Sequence, residues 1–148
     1  MMRAAWLALA CGASAGCIES LAPDVGPLAQ PVCVDVDSDP EVDVSLSRDL
    51  VGGVFARRCA VCHTPGGATP IGIAVGGLEL TSYATLLRGG AQAGPEIVVP
   101  GEPCASVLVL KVSDAPPFGA RMPLEGPALS LVDRLLVADW IVEGARDN

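Results

Sequence analysis

The stretch Cys59-Ala60-Val61-Cys62-His63 holds two cysteines three positions apart, followed directly by a histidine. This C-x-x-C-H pattern is the attachment signature of c-type haem. On one helical turn, the two thiols can reach the two vinyl groups at one edge of a porphyrin, and the histidine that follows can bind the iron. His63 is the only histidine in the 148 residues, which makes a chance match improbable. The stretch therefore predicts one covalent haem c, with Cys59 and Cys62 as attachment residues and His63 as proximal ligand.

Three other uses of these cysteines stay open at this point. A thioredoxin-like redox site needs a strand–helix–strand context, and nothing around the motif provides one. A zinc site needs a fourth ligand beyond the motif, which Cys33 or Cys104 could supply. The motif cysteines could also form a structural disulfide.

An iron with two axial protein ligands needs a second residue besides His63. A second histidine does not exist in this chain, so bis-histidine ligation within it is excluded. Met122, in the stretch Gly119–Pro123, is the only methionine that remains if an N-terminal signal is removed, and Lys111 is its rival. We expect Met122 to be the distal ligand. His/Met iron has no vacancy for a substrate, which favours electron transfer over catalysis. A backbone carbonyl should orient the imidazole, and Pro65 and Pro70 lie on a suitable loop.

The composition narrows the class of protein. The net charge of −8, with nine Lys and Arg, disfavours nucleic-acid binding. A single histidine rules out a Cys₂His₂ zinc finger. The 17 glycines and 13 prolines disfavour a long helical bundle, while 51% hydrophobic residues are too many for a disordered chain. Aromatic residues make up only 3%, so a protein core alone would be poorly filled.

Residues 1–17 have the order of an export signal: a positive charge, a short apolar core and then small residues. Ala13–Ala15 fits an ordinary A-x-A cleavage site. Ser14–Cys17 resembles the bacterial lipoprotein box, in which Cys17 becomes the lipidated first residue. We favour the lipoprotein form.

The remainder divides at about residue 44. Residues 18–44 carry prolines and acidic side chains, which predict an extended tether. Valines that alternate with these acids allow a short edge strand as the rival. Residues 45–148 are predicted to form the domain.

Within the domain, apolar spacing and capping residues predict four helices separated by loops over 64–77 and 114–127. The first helix should present one apolar face, formed by Leu46, Leu50, Val54 and Phe55. The last helix should likewise present Leu131, Leu135, Ala138 and Val142 on one face. The first predicted helix begins at Ser45 or Ser47 and ends at Cys59. The other three cover Ser82 to Arg88, Ala105 to Val112, and Ser130 to Gly144.

Seven short stretches of the domain together form a recognisable pattern: Cys59–His63, Leu78–Tyr83, Val98–Gly101, Ser106–Leu108, Gly119–Pro123, Leu129–Ser130 and Trp140–Ala145. Through these stretches, residues 45 to about 146 resemble the small class I cytochrome c domains of exported bacterial proteins, as in planctomycetes and myxobacteria. The resemblance implies an all-α fold of three to five helices around one covalent haem, with the N- and C-terminal helices crossing where Phe55 and Trp140 meet. It also implies that Met122 of the R-M-P loop is the distal ligand.

Cys33 and Cys104 lie outside the haem motif. If Cys11 leaves with the signal and Cys17 is lipidated, these two remain as a pair, and an oxidising compartment permits a disulfide between them. Two separate buried thiols are the alternative.

Together these features predict an exported monohaem cytochrome, an electron carrier and not an enzyme. It would be a periplasmic or outer-membrane-associated lipoprotein of a Gram-negative bacterium. Its acidic balance predicts donor and acceptor proteins with basic docking patches. The alternatives are a haem enzyme or gas sensor with an open sixth site, and a structural lipoprotein whose motif binds zinc.

Overall fold

The computed structural model describes residues 33–148, and this part of the chain consists of helices joined by long loops. It contains no strand, so the all-α prediction is confirmed at that level and the rival edge strand does not form over the described residues. The predicted signal 1–17, Cys17 and most of the predicted tether lie outside the described residues. None of the described helices combines the length and the apolar composition needed to cross a membrane.

The N-terminal helix comprises Leu46–Phe55 and its continuation Ala56–Arg58. It begins at Ser45, whose hydroxyl accepts the backbone N–H of Arg48. The first ten residues follow the wide i→i+5 pattern of a π-helix. The predicted apolar face is confirmed, because its members are all buried: Leu46, Leu50, Val54 and Phe55.

The last helix, Leu131–Val142, begins at Ser130, whose hydroxyl accepts the backbone N–H of Asp133. The prediction of its apolar face is partly wrong. Leu131 is 62% exposed, because the first turn lies at the surface and the core covers only the second half of the helix. The buried apolar side chains are Val137, Ala138, Trp140 and Ile141.

The N-terminal helix packs against the last helix. Phe55 is 3% exposed and Trp140 is fully buried, and both belong to the same hydrophobic core. The two aromatic side chains that we expected at a helix crossing therefore lie in one core shared by the two helices.

Short helices fill the chain between these two. The helices predicted over 82–88 and 105–112 are found with slightly different ends, and a helical turn interrupts the predicted loop 64–77. Ser82 caps its helix in a reciprocal pair with Thr85, and Gly89, with φ 71°, ends it. The short elements are Ala60–His63, Ile71–Ala74, Tyr83–Arg88 and Val107–Lys111, with 3₁₀ turns at Gly94–Ile97 and Pro103–Ala105.

Residues 33–44 pack on the helical unit. A disulfide joins Cys33 to Cys104, with their Cα atoms 5.5 Å apart. The Ser38 hydroxyl and backbone N–H donate to Asp139, and the Val44 N–H donates to Glu143. Residues 33–44 therefore belong to the same compact unit as the helices that follow.

Candidate functional site

The motif turn follows directly from the N-terminal helix. Cys59 interrupts the helix with φ −124° and ψ −27°, and Ala60–His63 then forms one new turn. The Cys59 carbonyl accepts the N–H groups of both Cys62 and His63, at 3.1 and 2.9 Å. These two hydrogen bonds close the turn, so Cys59, Cys62 and His63 lie within a single turn of the backbone. Both thiols are free and half-buried, so no disulfide joins them.

The imidazole of His63 is fixed by the main chain. Its Nδ1 lies 2.9 Å from the carbonyl oxygen of Leu78. Because a carbonyl only accepts, Nδ1 carries the hydrogen of the neutral ring, and the lone pair on Nε2 remains for a metal. The His63 carbonyl in turn accepts the N–H of Leu80 at 2.9 Å. The orienting carbonyl is thus that of Leu78, and not one contributed by Pro65 or Pro70.

Gly72, in the helical turn Ile71–Ala74, lies against the ring of His63. A Cβ atom at this position would stand 2.5 Å from Cε1 and 2.6 Å from Nδ1 of the imidazole, and 2.7 Å from the Cys62 carbonyl oxygen. Only a residue without a side chain fits this close approach. The backbone of the loop therefore forms a fitted cradle for the imidazole.

The environment of Cys59 disfavours a thiol redox site. Burial raises the pKa of its thiol to about 11, so the thiol stays protonated at neutral pH. Reactive cysteines need the opposite, a lowered pKa that yields the thiolate.

The disulfide between Cys33 and Cys104 bears on the zinc alternative. Oxidised sulfurs cannot act as thiolate ligands, so neither residue can complete a four-ligand site with the motif. Within residues 33–148, no group of three or more histidine, cysteine or acidic side chains is placed to hold a metal ion.

Met122 lies on a separate loop from the motif, between Val107–Lys111 and the last helix. Its side chain is half-buried against the hydrophobic core. Its N–H donates to the Lys111 carbonyl at 2.7 Å. The ammonium of Lys111, the alternative to Met122 as distal ligand, donates to the carbonyls of Phe118 and Ala120 at 2.7 and 2.6 Å. Those hydrogen bonds engage Lys111 with the loop and leave Met122 as the preferred distal candidate.

Apolar side chains next to the motif turn are exposed. Val61 lies within the turn, and Ile71 and Val75 lie on and beside the short helix that contacts it. Val75 is 81% exposed. Apolar side chains exposed to water cost free energy, and a large apolar group such as a porphyrin would cover them. The fixed imidazole, the free thiols and this surface fit a covalent haem.

Comparison of the chain with known protein families, curated proteins and solved structures finds no match. The motif and the geometry around it are therefore the features that bear on function. The sequence did not identify three of the residues that shape this site: Leu78 and Gly72 beside His63, and Lys111 as a hydrogen-bond partner of the Met122 loop. Leu78 acts through its carbonyl, which leaves no sequence signal. Gly72 and Lys111 could have been found only from their contacts.

Proposed function

We propose that the protein is an exported monohaem c-type cytochrome that transfers single electrons between redox partners. The observation that carries the proposal is the C-x-x-C-H turn whose His63 gives Nδ1–H to Leu78 and keeps Nε2 for iron. Cys59 and Cys62 would hold the haem through thioether bonds, and His63 and Met122 would be its axial ligands. A haem bound there supplies a one-electron Fe(III)/Fe(II) couple.

The chain's own contribution is to fix and tune the proximal ligand. A hydrogen bond from Nδ1 to a carbonyl holds the ring and raises its basicity. The Gly72 cradle limits rotation of the same ring. The packed N-terminal and last helices agree with a small cytochrome c fold, which is part of the proposal.

Export and a lipid anchor on Cys17 also belong to the proposal. The disulfide between Cys33 and Cys104 supports an oxidising compartment such as the periplasm. With Cys59 and Cys62 assigned to haem and Cys11 lost with the signal, Cys17 is the cysteine left for lipidation. The net charge of −8 favours partners with basic docking surfaces.

Haem staining after denaturing electrophoresis tests the proposal, because only covalently attached haem survives denaturation. The full chain is expressed in a host that matures c-type cytochromes. We expect staining of the wild type and its loss in Cys59→Ala/Cys62→Ala. The matched control is Cys33→Ala/Cys104→Ala, which also removes two cysteines and should keep the stain. An unstained wild type would contradict the proposal.

A visible spectrum separates the electron carrier from a haem enzyme or gas sensor with an open sixth site. We expect the weak ferric band at the red end that marks methionine ligation, and its loss in Met122→Ala. High-spin wild-type iron that binds added ligands would favour the alternative.

A further inference from the structure

We propose that Lys111 is a positioning residue that holds the Met122 loop closed and so keeps the methionine in place. The inference rests on the proposed function, because it gives Lys111 a role through Met122. It replaces the role of rival ligand that the sequence allowed for Lys111.

The backbone of Lys111 provides the first point of attachment. Its carbonyl accepts the Met122 N–H at 2.7 Å. Lys111 is the last residue of the helix Val107–Lys111, of which Val107, Leu108 and Val109 are buried. The loop is therefore fastened to an element that is itself fixed in the core.

The side chain of Lys111 provides the second point of attachment. Its ammonium donates to the carbonyls of Phe118 and Ala120, which flank the turn at Gly119, where φ is 55°. The same ammonium lies 4.8 Å from the centroid of the Phe118 ring. Hydrogen bonds from a charged donor are about twice as strong as neutral ones, and the aromatic contact adds to them.

Side chain and backbone together bind positions 118, 120 and 122, so one residue closes the segment that leads into Met122. This segment lies in no helix of the described chain. Without the ammonium, the carbonyls of Phe118 and Ala120 lose these donors, and the backbone hydrogen bond of Met122 remains as the attachment of the segment to position 111. The methionine would then exchange more readily with an added ligand.

The test compares Lys111→Leu with Arg121→Leu in the haem-loaded full chain. Arg121 is the matched control, since it adjoins Met122 and its contact is an exposed ion pair with Asp114. For Lys111→Leu we expect a weakened methionine–iron band, a lower midpoint potential and imidazole affinity for the ferric protein raised by roughly tenfold or more, as for the loss of a charged hydrogen bond. Arg121→Leu should match the wild type, and Lys111→Arg should restore much of the band.

A haem-bearing Lys111→Leu protein with the band, potential and imidazole affinity of the wild type would overturn this role while leaving the proposed function intact. Wild-type protein without the band would overturn both. If Lys111→Leu does not accumulate, Lys111→Gln takes its place under the same three measurements. Wild-type values there overturn the role, and easier imidazole binding supports it.

Discussion

At the scale of single residues, the candidate site depends on how the backbone surrounds one imidazole. The Leu78 carbonyl fixes the tautomer of His63, and Gly72 gives the ring its room. Neither residue uses a side chain for this purpose. That is why the sequence could identify His63 from its motif but could not identify the groups that orient it.

The first prediction concerns Gly72. In Gly72→Ala, the new methyl group would meet the His63 ring at 2.5 Å and the Cys62 carbonyl oxygen at 2.7 Å, so the ring or the neighbouring backbone must shift. We expect a loss of about 1–3 kcal/mol in the free energy of unfolding, and a lower ratio of haem to protein. Gly66→Ala is the control, because a Cβ there meets nothing within 4 Å. Equal unfolding free energies and haem ratios in the two variants would refute the cradle.

The second prediction concerns Glu143, whose side chain is only 7% exposed. Burial raises its pKa above the ordinary 4.5, although the Val44 N–H and Arg146 act in the opposite direction. The native state then holds the proton more tightly than the unfolded state. The contribution of Glu143 to stability should therefore fall as the pH rises from 4.5 through its raised pKa.

Urea unfolding of wild type and Glu143→Gln at several pH values measures this effect. Glutamine keeps an acceptor for Val44 but does not titrate. We subtract the free energy of unfolding of the variant from that of the wild type. This difference should decrease as the pH rises from 4.5 through the raised pKa of Glu143. A difference that does not change with pH would contradict the assignment.

At the scale of elements, helix starts were predictable because they depend on local chemistry. Ser45, Ser82 and Ser130 each cap a helix at or next to the predicted position. The buried side of the last helix was less predictable, since it depends on which part of the helix the core reaches. The turn Ile71–Ala74 was missed because four residues that include a glycine have little intrinsic helix preference.

The third prediction tests the cap of the last helix. Ser130→Ala removes the acceptor for the Asp133 N–H and should cost about 1 kcal/mol in the free energy of unfolding. Ser130→Asn retains a capping oxygen and should stay within a few tenths of a kcal/mol of the wild type. Chemical denaturation checks both values. A Ser130→Ala protein as stable as Ser130→Asn would show that the cap is not needed.

At the scale of the whole molecule, the cysteines show how far sequence reasoning extends. Counting them identified Cys33 and Cys104 as a possible pair, and the structure joins these two. The same counting could not show that residues 38–44 lie against the last helix and its C-terminal end. That packing depends on Asp139 and Glu143, whose carboxylates accept backbone N–H groups from a segment about 100 positions away in sequence.

The fourth prediction is the effect of this disulfide. Cys33 and Cys104 are 71 positions apart, so their bond restricts a long loop of the unfolded chain. The variant Cys33→Ala/Cys104→Ala should lose about 2–4 kcal/mol in the free energy of unfolding. Its haem stain and methionine band should remain, because neither cysteine belongs to the motif. An unchanged unfolding midpoint in denaturant would show that the bond adds no stability.

The fifth prediction is that the polypeptide depends on the proposed haem to fold. A domain of this size buries a modest core, and this chain has few aromatic side chains with which to fill it. Apolar side chains such as Val61 and Val75 lie exposed beside the motif. A ligand that binds only the folded state adds its binding free energy to stability, so its removal should leave Cys59→Ala/Cys62→Ala poorly folded.

We expect the Cys59→Ala/Cys62→Ala variant to show a broad, weakly cooperative thermal transition by circular dichroism, whereas Cys33→Ala/Cys104→Ala keeps a sharp one. Cooperative unfolding of the haem-free variant at wild-type temperature would mean that the protein core suffices, and that the apolar surface at the motif needs another explanation.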